Sequence, residues 1–174
     1  MQKIMFSDKY SLTDAVLQGR KTMTRRQADV RWASGDIHDN PVPKYKVGEV
    51  LAVAQRYSEL SWDKRFYDNL CSMCERLPQY ELKGWDNKMF VRADLMPHQI
   101  QITNIKVERL QDISDFDIIR EGCLEDEGKY FIPTISTPFM TSREAFSTLI
   151  EKVSGKGTWE SNPWVFAYTF ELVK

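Results

Sequence analysis

The sequence predicts an α+β fold in which short strands close into a small mixed β-barrel with flanking helices. Three observations predict it. The chain ends in a strand-length segment where Trp164, Phe166, Tyr168, Phe170 and Leu172 recur on a period of two. A second strand pattern, IQITNIKVERL at 100–110, lies mid-chain. Helical segments with readable ends separate the strands, at 11–19, 114–122 and 141–155. Closing such strands on one another removes the unpaired edges that an open sheet would leave.

Taken in order, KIMF at 3–6 reads as a short opening strand or as a lead-in to the first helix. Ser11 and Asp14 have the spacing of an N-cap and an acidic first turn, with Leu12, Ala15 and Val16 on one helical face. Gly19 stands where such a helix needs a left-handed residue to end. An extended chain from there points Arg20, Thr22, Thr24 and Arg26 one way, and Lys21, Met23 and Arg25 the other. Residues 27–47, with Gly35, Pro41 and Pro43, read as a loop, and EVLAVAQ at 49–55 as a strand introduced by Gly48.

From Arg56 to Pro97 no period is sustained, although Tyr57, Trp62, Phe66, Tyr67, Tyr80, Trp85 and Phe90 fall there. This reads as an excursion from the barrel with a short strand at 88–93. Its aromatics either pin the loop to the domain or offer faces for base stacking, the former being favoured. Within 100–110, Ile100 and Ile102 lie in one phase and Ile105 and Val107 in the other, which predicts a bulge near Thr103 and Asn104. Ser114 opens a helix with Asp115 and Asp117 in its first turn and Gly122 as its stop. Thr141 and Glu144 have capping-box spacing for a helix that turns Ala145, Phe146, Leu149, Ile150 and Val153 inward and stops at Gly155. Trp159 and Trp164, either side of Asn162 and Pro163, are placed to close one end of the barrel.

With 174 residues, the chain suits a single domain over 1–174 with an insertion at about 56–97. A domain of this size buries about 70% of the surface its unfolded chain exposes. A formal net charge of -1 argues against bulk electrostatic binding of nucleic acid. Local asymmetry survives inside that total: residues 20–31 carry five cations against one acid, and 112–127 seven acids against one cation. No apolar run approaches the roughly 18 residues of a membrane span, and the N-terminus lacks the apolar core of a signal peptide. A cytoplasmic protein without membrane attachment is expected. Three cysteines do not suggest a disulfide framework. Cys71 and Cys74 form a CxxC, but the remaining candidates for zinc, Cys123, His38 and His98, are scattered. Ordinary thiols are the better reading, and neither metal nor cofactor is expected.

The densest chemistry lies in GRKTMTRR at 19–26, four cations in the seven residues from Arg20 to Arg26. A buried scaffold has little use for such a cluster, whereas an anionic or polar ligand does; a solvated helix end with a charged edge strand is the bland alternative. This segment resembles the G-x-K-x-x-T-x-R signature of ASCH domains, members of the PUA-like group of small β-barrels. Three further stretches, YKVGEVLAV at 45–53, IKVERLQDIS with a following REG over 105–122, and WESNPWVFAYTFE at 159–171, resemble the longer ASCH proteins of phages and prophage-like regions. The resemblance covers nearly the whole chain apart from 56–97. It implies a PUA-like barrel with flanking helices that binds RNA or a nucleotide- or nucleoside-type ligand.

More distantly, the chain is similar to a small amidohydrolase of the same family that removes acetyl from N(4)-acetylcytidine. That resemblance implies reactive roles for Lys21, Thr24 and Glu121, within a ligand-binding set of Arg20, Lys21, Thr24, Arg25, Arg26 and Glu121. A Thr hydroxyl is a poor nucleophile until a base takes its proton. A lysine serves as that base only if burial or neighbouring cations lower its pKa by several units. Glu121 could act as general acid or anchor Lys21, and anchoring raises the lysine pKa and opposes catalysis. Arg26, in phase with Thr24, is a candidate for stabilising an oxyanion or holding a phosphate. For each residue the structural alternative stands beside these roles: Thr24 as an ordinary strand residue, Lys21 and Glu121 as a surface ion pair. Three functions follow as expectations: an RNA- or nucleoside-binding module, a deacylating amidohydrolase, or a phage-derived module for a protein partner.

Overall fold

The computed structural model describes residues 1–28, 42–60 and 83–173. Its strands are β1 (Gln2–Ile4), β2 (Met23–Gln27), β3 (Val50–Val53), β4 (Gln99–Arg109), β5 (Leu124–Asp126), β6 (Lys129–Phe131) and β7 (Trp164–Leu172). Its helices are α1 (Leu12–Leu17), α2 (Tyr57–Leu60), α3 (Asp115–Arg120), α4 (Ser142–Ser154) and α5 (Thr158–Ser161). Strands β1-β3-β4-β7-β2 form one five-stranded sheet in that order, and β5 and β6 form a separate hairpin. The sheet is mixed: β1 runs parallel to β3, while β3 with β4 and β2 with β7 are antiparallel. Among the described residues no helix is long and apolar enough to cross a membrane.

The chain packs as two compact units, residues 1–6, 50–101 and 172–174 in the first, and 7–49 and 102–171 in the second. In the first, β1 pairs with β3 in the register Gln2↔Leu51 to Ile4↔Val53. Ala52, Ala54, Tyr57, Leu60, Val91 and Met96 form a buried cluster, against which Trp85 packs. Tyr57 anchors the end of the long excursion, its hydroxyl accepting from the Arg92 amide at 2.9 Å. Gly84 must be glycine here, because a Cβ would stand 2.5 Å from the Tyr57 ring. Tyr57 and Trp85 therefore pin this segment to the core, while Trp62, Phe66, Tyr67, Tyr80 and the Cys71–Cys74 pair lie outside the described residues.

The strand expected at 88–93 is replaced by two 3-10 turns, Lys88–Phe90 and Ala93–Leu95. The cause is local. The Asn87 side chain caps the Met89 amide, and the Lys3 ammonium takes the Met89 and Val91 carbonyls at 2.6 and 2.7 Å. A lysine thus occupies acceptors that a neighbouring strand would have used.

In the second unit, α1 begins and ends for different reasons than its sequence spacing suggests at one end only. Gly19 has φ 71°, the left-handed exit expected. Ser11, however, is itself left-handed, at φ 48°, and its side chain caps nothing. A 3-10 turn at Asp8–Tyr10 leads straight into the helix, so Ser11 cannot take the extended conformation from which a serine caps. The other two helices follow their signals. Ser114 accepts from the Asp117 amide, and Thr141 and Glu144 form a complete capping box. Helix α4 buries Ala145, Phe146 and Leu149, while Val153 is exposed. Ser142 donates to Asp115 Oδ1 at 2.5 Å, tying α4 to the start of α3. The β5–β6 hairpin turns on Glu127 and Gly128, both at positive φ, as a two-residue turn requires.

Strand β7 is not one-faced. Val165 and Ala167 are as buried as Phe166 and Tyr168, because β7 is an inner strand with β4 and β2 as its neighbours. Trp159 packs edge-on against Phe146, with ring centroids 6.0 Å apart, and Trp164 lies under the Arg109 guanidinium at 4.5 Å.

A buried ion network as the candidate functional site

The site grows out of the junction between α1 and β2. The amides of Arg20 and Lys21 both donate to the Ala15 carbonyl as the helix unwinds past Gly19. Thr22 then donates to the Arg120 carbonyl and accepts from the Phe170 amide, so this link is fastened to α3 on one side and β7 on the other. From Met23 the chain runs as a strand, with Thr24 opposite Tyr168, Arg25 opposite Ala167 and Arg26 opposite Phe166.

Lys21 and Arg25 converge on one carboxylate. Lys21 Nζ donates to Glu121 Oε2 at 2.7 Å and to the Glu121 main-chain oxygen at 2.6 Å. Arg25 Nη1 donates to Glu121 Oε1 at 3.1 Å. The rest of the Arg25 fork goes to Glu108 Oε1, from Nε at 2.9 Å and Nη2 at 2.6 Å, with Asp117 at 3.4 Å from Nη2. Lys106 reaches the other Glu108 oxygen at 2.5 Å. Lys21, Arg25, Glu108 and Glu121 are all buried, Lys21 being 3% exposed. Two cations and two anions balance, which is what allows four charges to leave water together.

Gly122 makes the arrangement sterically feasible. Its φ is +107°, and a Cβ there would stand 3.1 Å from Leu12 Cδ2 and 3.6 Å from Lys21 Cδ. The residue ends α3 and lets the Lys21 stem pass against the backbone beside Glu121.

Electrostatics divide the pair unequally. For Glu121, burial favours the protonated acid, but the charges of Lys21 and Arg25 and their hydrogen bonds outweigh it and hold the carboxyl below its usual range. For Lys21, burial dominates and lowers the ammonium pKa, Arg26 adding to the effect, although Glu121 opposes it. Glu121 faces the two cations Lys21 and Arg25, whereas Lys21 faces one carboxylate and the further cation Arg26. Glu108 is likewise held low, Lys106 and Arg25 overcoming its burial. Cys123, buried close by, has its thiol pushed up to about 12 by burial.

Of the residues the sequence nominates, the fold brings Lys21, Arg25 and Glu121 into direct contact. Thr24 is buried on β2 between them in sequence, and Arg26 is exposed on the same strand. Arg20 is exposed at the helix end, its Nε donating to Gln18 at 2.9 Å. Sequence reasoning missed Glu108, Lys106, Asp117 and Arg120 as members of the cluster. Asp117 accepts from both Arg25 and Arg120, and Arg120 also donates to the Thr22 hydroxyl at 3.1 Å. For Glu108 a signal existed: it shares the even phase of Ile100 and Ile102, and all three are buried in β4. The phase change assigned to Ile105 and Val107 hid it, and Val107 is exposed.

Fold and site together define a mixed α/β chain whose sheet carries a charge-balanced buried ion network. The chain is similar to the crystal structure of an Enterococcus faecalis V583 protein of the DUF984 family, at 13% identity and TM-score 0.47, over 99% of this chain and 80% of that one. It is also similar to the crystal structure of an ASCH domain from Lactobacillus crispatus JV V101, at 14% identity and TM-score 0.43, over 97% of this chain and 76% of that one. No family model matches the sequence, and no curated protein matches it.

Proposed function

We propose that the protein is an ASCH-type, PUA-like domain over residues 1–174 that takes a nucleoside-type ligand and hydrolyses an amide on it. The substrate class is an acylated nucleobase amine, as in N(4)-acetylcytidine. The observation that carries this reading is the burial of Lys21 beside Glu121, burial lowering the lysine pKa from its usual value, the direction a lysine base requires.

In this reading Lys21, charged in the resting network, first gives up its proton; the free amine then accepts the proton of the Thr24 hydroxyl, and the Thr24 oxygen adds to the acyl carbon. The Lys21 ammonium then returns the proton to the departing nucleobase amine, leaving an acyl ester on Thr24. Water, deprotonated by the Lys21 amine, then adds to that ester, and the Lys21 ammonium returns the proton to the departing Thr24 oxygen as the acid is released. Glu121 holds Lys21 in place as a carboxylate, a contact that raises the lysine pKa against the effect of burial, while Arg25 donates to its other oxygen. Arg26, exposed on the same strand as Thr24, is the candidate donor to the oxyanion.

A second reading, binding of RNA or a nucleotide without chemistry, is favoured by the exposed cations Arg20 and Arg26 flanking the buried ones. Incubation with N(4)-acetylcytidine, followed by chromatography for cytidine, separates the two. Turnover by the wild type that Lys21→Ala and Glu121→Ala abolish, with circular dichroism unchanged, supports hydrolysis. No turnover at high enzyme concentration overturns that substrate class and leaves binding, tested by titration with short RNAs.

A further inference from the structure

We propose that Arg25 and Glu108 act as a positioning pair, dividing the Glu121 carboxylate between two cations and so setting how firmly Lys21 is held. The inference deepens the hydrolytic reading above and rests on it for its catalytic meaning, but its geometry stands alone. Glu121 presents one oxygen to each cation, Oε2 to Lys21 and Oε1 to Arg25. Arg25 in turn spends two of its donors, Nε and Nη2, on Glu108 Oε1. The strength of the Glu108 grip therefore decides how much of Arg25 is left for Glu121. That in turn decides how much of Glu121 is left for Lys21.

All four residues are buried, so water cannot level these differences as it does at a surface. The groups bearing on Lys21 are Glu121 after α3, Arg26 on β2 and Cys123 beside β5. Those bearing on the pair are Lys106 on β4, at Glu108, and Asp117 on α3, which bridges Arg25 and Arg120. A pair that merely filled space would move the Lys21 proton affinity in no particular direction. A pair that divides Glu121 makes two predictions of opposite sign.

Removing both members as Arg25→Met/Glu108→Gln deletes one charge of each sign and keeps the volume. Glu121 then belongs to Lys21 alone, and the lysine pKa rises, by about one pH unit or more for a neighbouring charge. Glu108→Gln alone leaves Arg25 with weaker partners on β4, so it leans further onto Glu121 and the lysine pKa falls. The probe is the ε-carbon of Lys21 in the full chain, followed by NMR with lysine-selective labelling and assigned through Lys21→Arg. The pH–rate profile for N(4)-acetylcytidine should move in the same two directions. If both variants fold and shift Lys21 alike, or not at all, the proposal is overturned. Should the double variant fail to fold, a rise or no change in Glu108→Gln alone overturns it. Opposite shifts in a protein with no turnover would keep the positioning pair and reject the hydrolytic reading.

Discussion

Lys21 Nζ lies 2.7 Å from Glu121 Oε2 and 2.6 Å from the main-chain oxygen of the same residue. One lysine therefore reads both the side chain and the backbone of the residue that closes α3. The contact fixes the end of a helix against the start of a strand about a hundred residues earlier in the chain. It also leaves the lysine buried with a carboxylate that a second cation, Arg25, shares.

Glu121→Gln should destabilise the fold by about 3 to 5 kcal/mol, since it leaves Lys21 and Arg25 buried without their common counter-charge. Urea denaturation at neutral pH measures it. Asp94→Asn, at the exposed Arg92–Asp94 pair, should leave the midpoint unchanged within error.

Stability should depend on pH with a defined sign. The ordinary value for Glu108 and Glu121 is 4.5, and both are lower in the folded chain. As pH falls through 4.5 the unfolded chain takes up these protons first, so their contribution is complete above 4.5 and lost below it. Lys21 behaves similarly at the other end. Its folded value lies below 10.5, so stability gains as pH rises between the two. Cys123 opposes this, losing stability between 9.0 and about 12. Urea midpoints from pH 3 to 7 should fall on acidification, and less steeply in Glu108→Gln than in the wild type.

Gly122→Ala tests the backbone under the site. A φ of +107° is costly for any side chain, and the added methyl would press on Leu12 and the Lys21 stem. A loss of roughly 1 to 3 kcal/mol is expected in thermal or urea denaturation. Gly19→Ala, left-handed but in open space, should cost less.

Much of this was legible in the sequence because its causes are local. The capping box at Thr141 and Glu144, the Ser114 cap and the left-handed exit at Gly19 each need only a few neighbouring residues, and each is present. The convergence of Lys21 and Glu121 was readable only through the motif, since a hundred residues separate them. What stayed hidden depends on distant partners. Lys3 turns the Met89–Val91 segment away from strand by taking its carbonyls. Ser11 loses its capping role to the turn that precedes it. Glu108 looks like a solvated strand residue until Arg25 is seen to reach it from β2.

The exposed arginines separate binding from packing. Arg20→Ala and Arg26→Ala should each change stability little, because both residues are exposed. Under the nucleotide-binding reading they should weaken association with short RNAs and flatten its salt dependence, measured by fluorescence anisotropy at several salt concentrations.

The most direct test of the account is the rate of N(4)-acetylcytidine deacetylation in Lys21→Arg beside the wild type. Arginine keeps the charge and a donor for Glu121 but cannot give up its proton at neutral pH. If Lys21 is the base, the wild type turns the substrate over and the folded variant is slower by about 10²-fold or more. A variant that keeps near wild-type turnover, or a wild type that shows none, would contradict it.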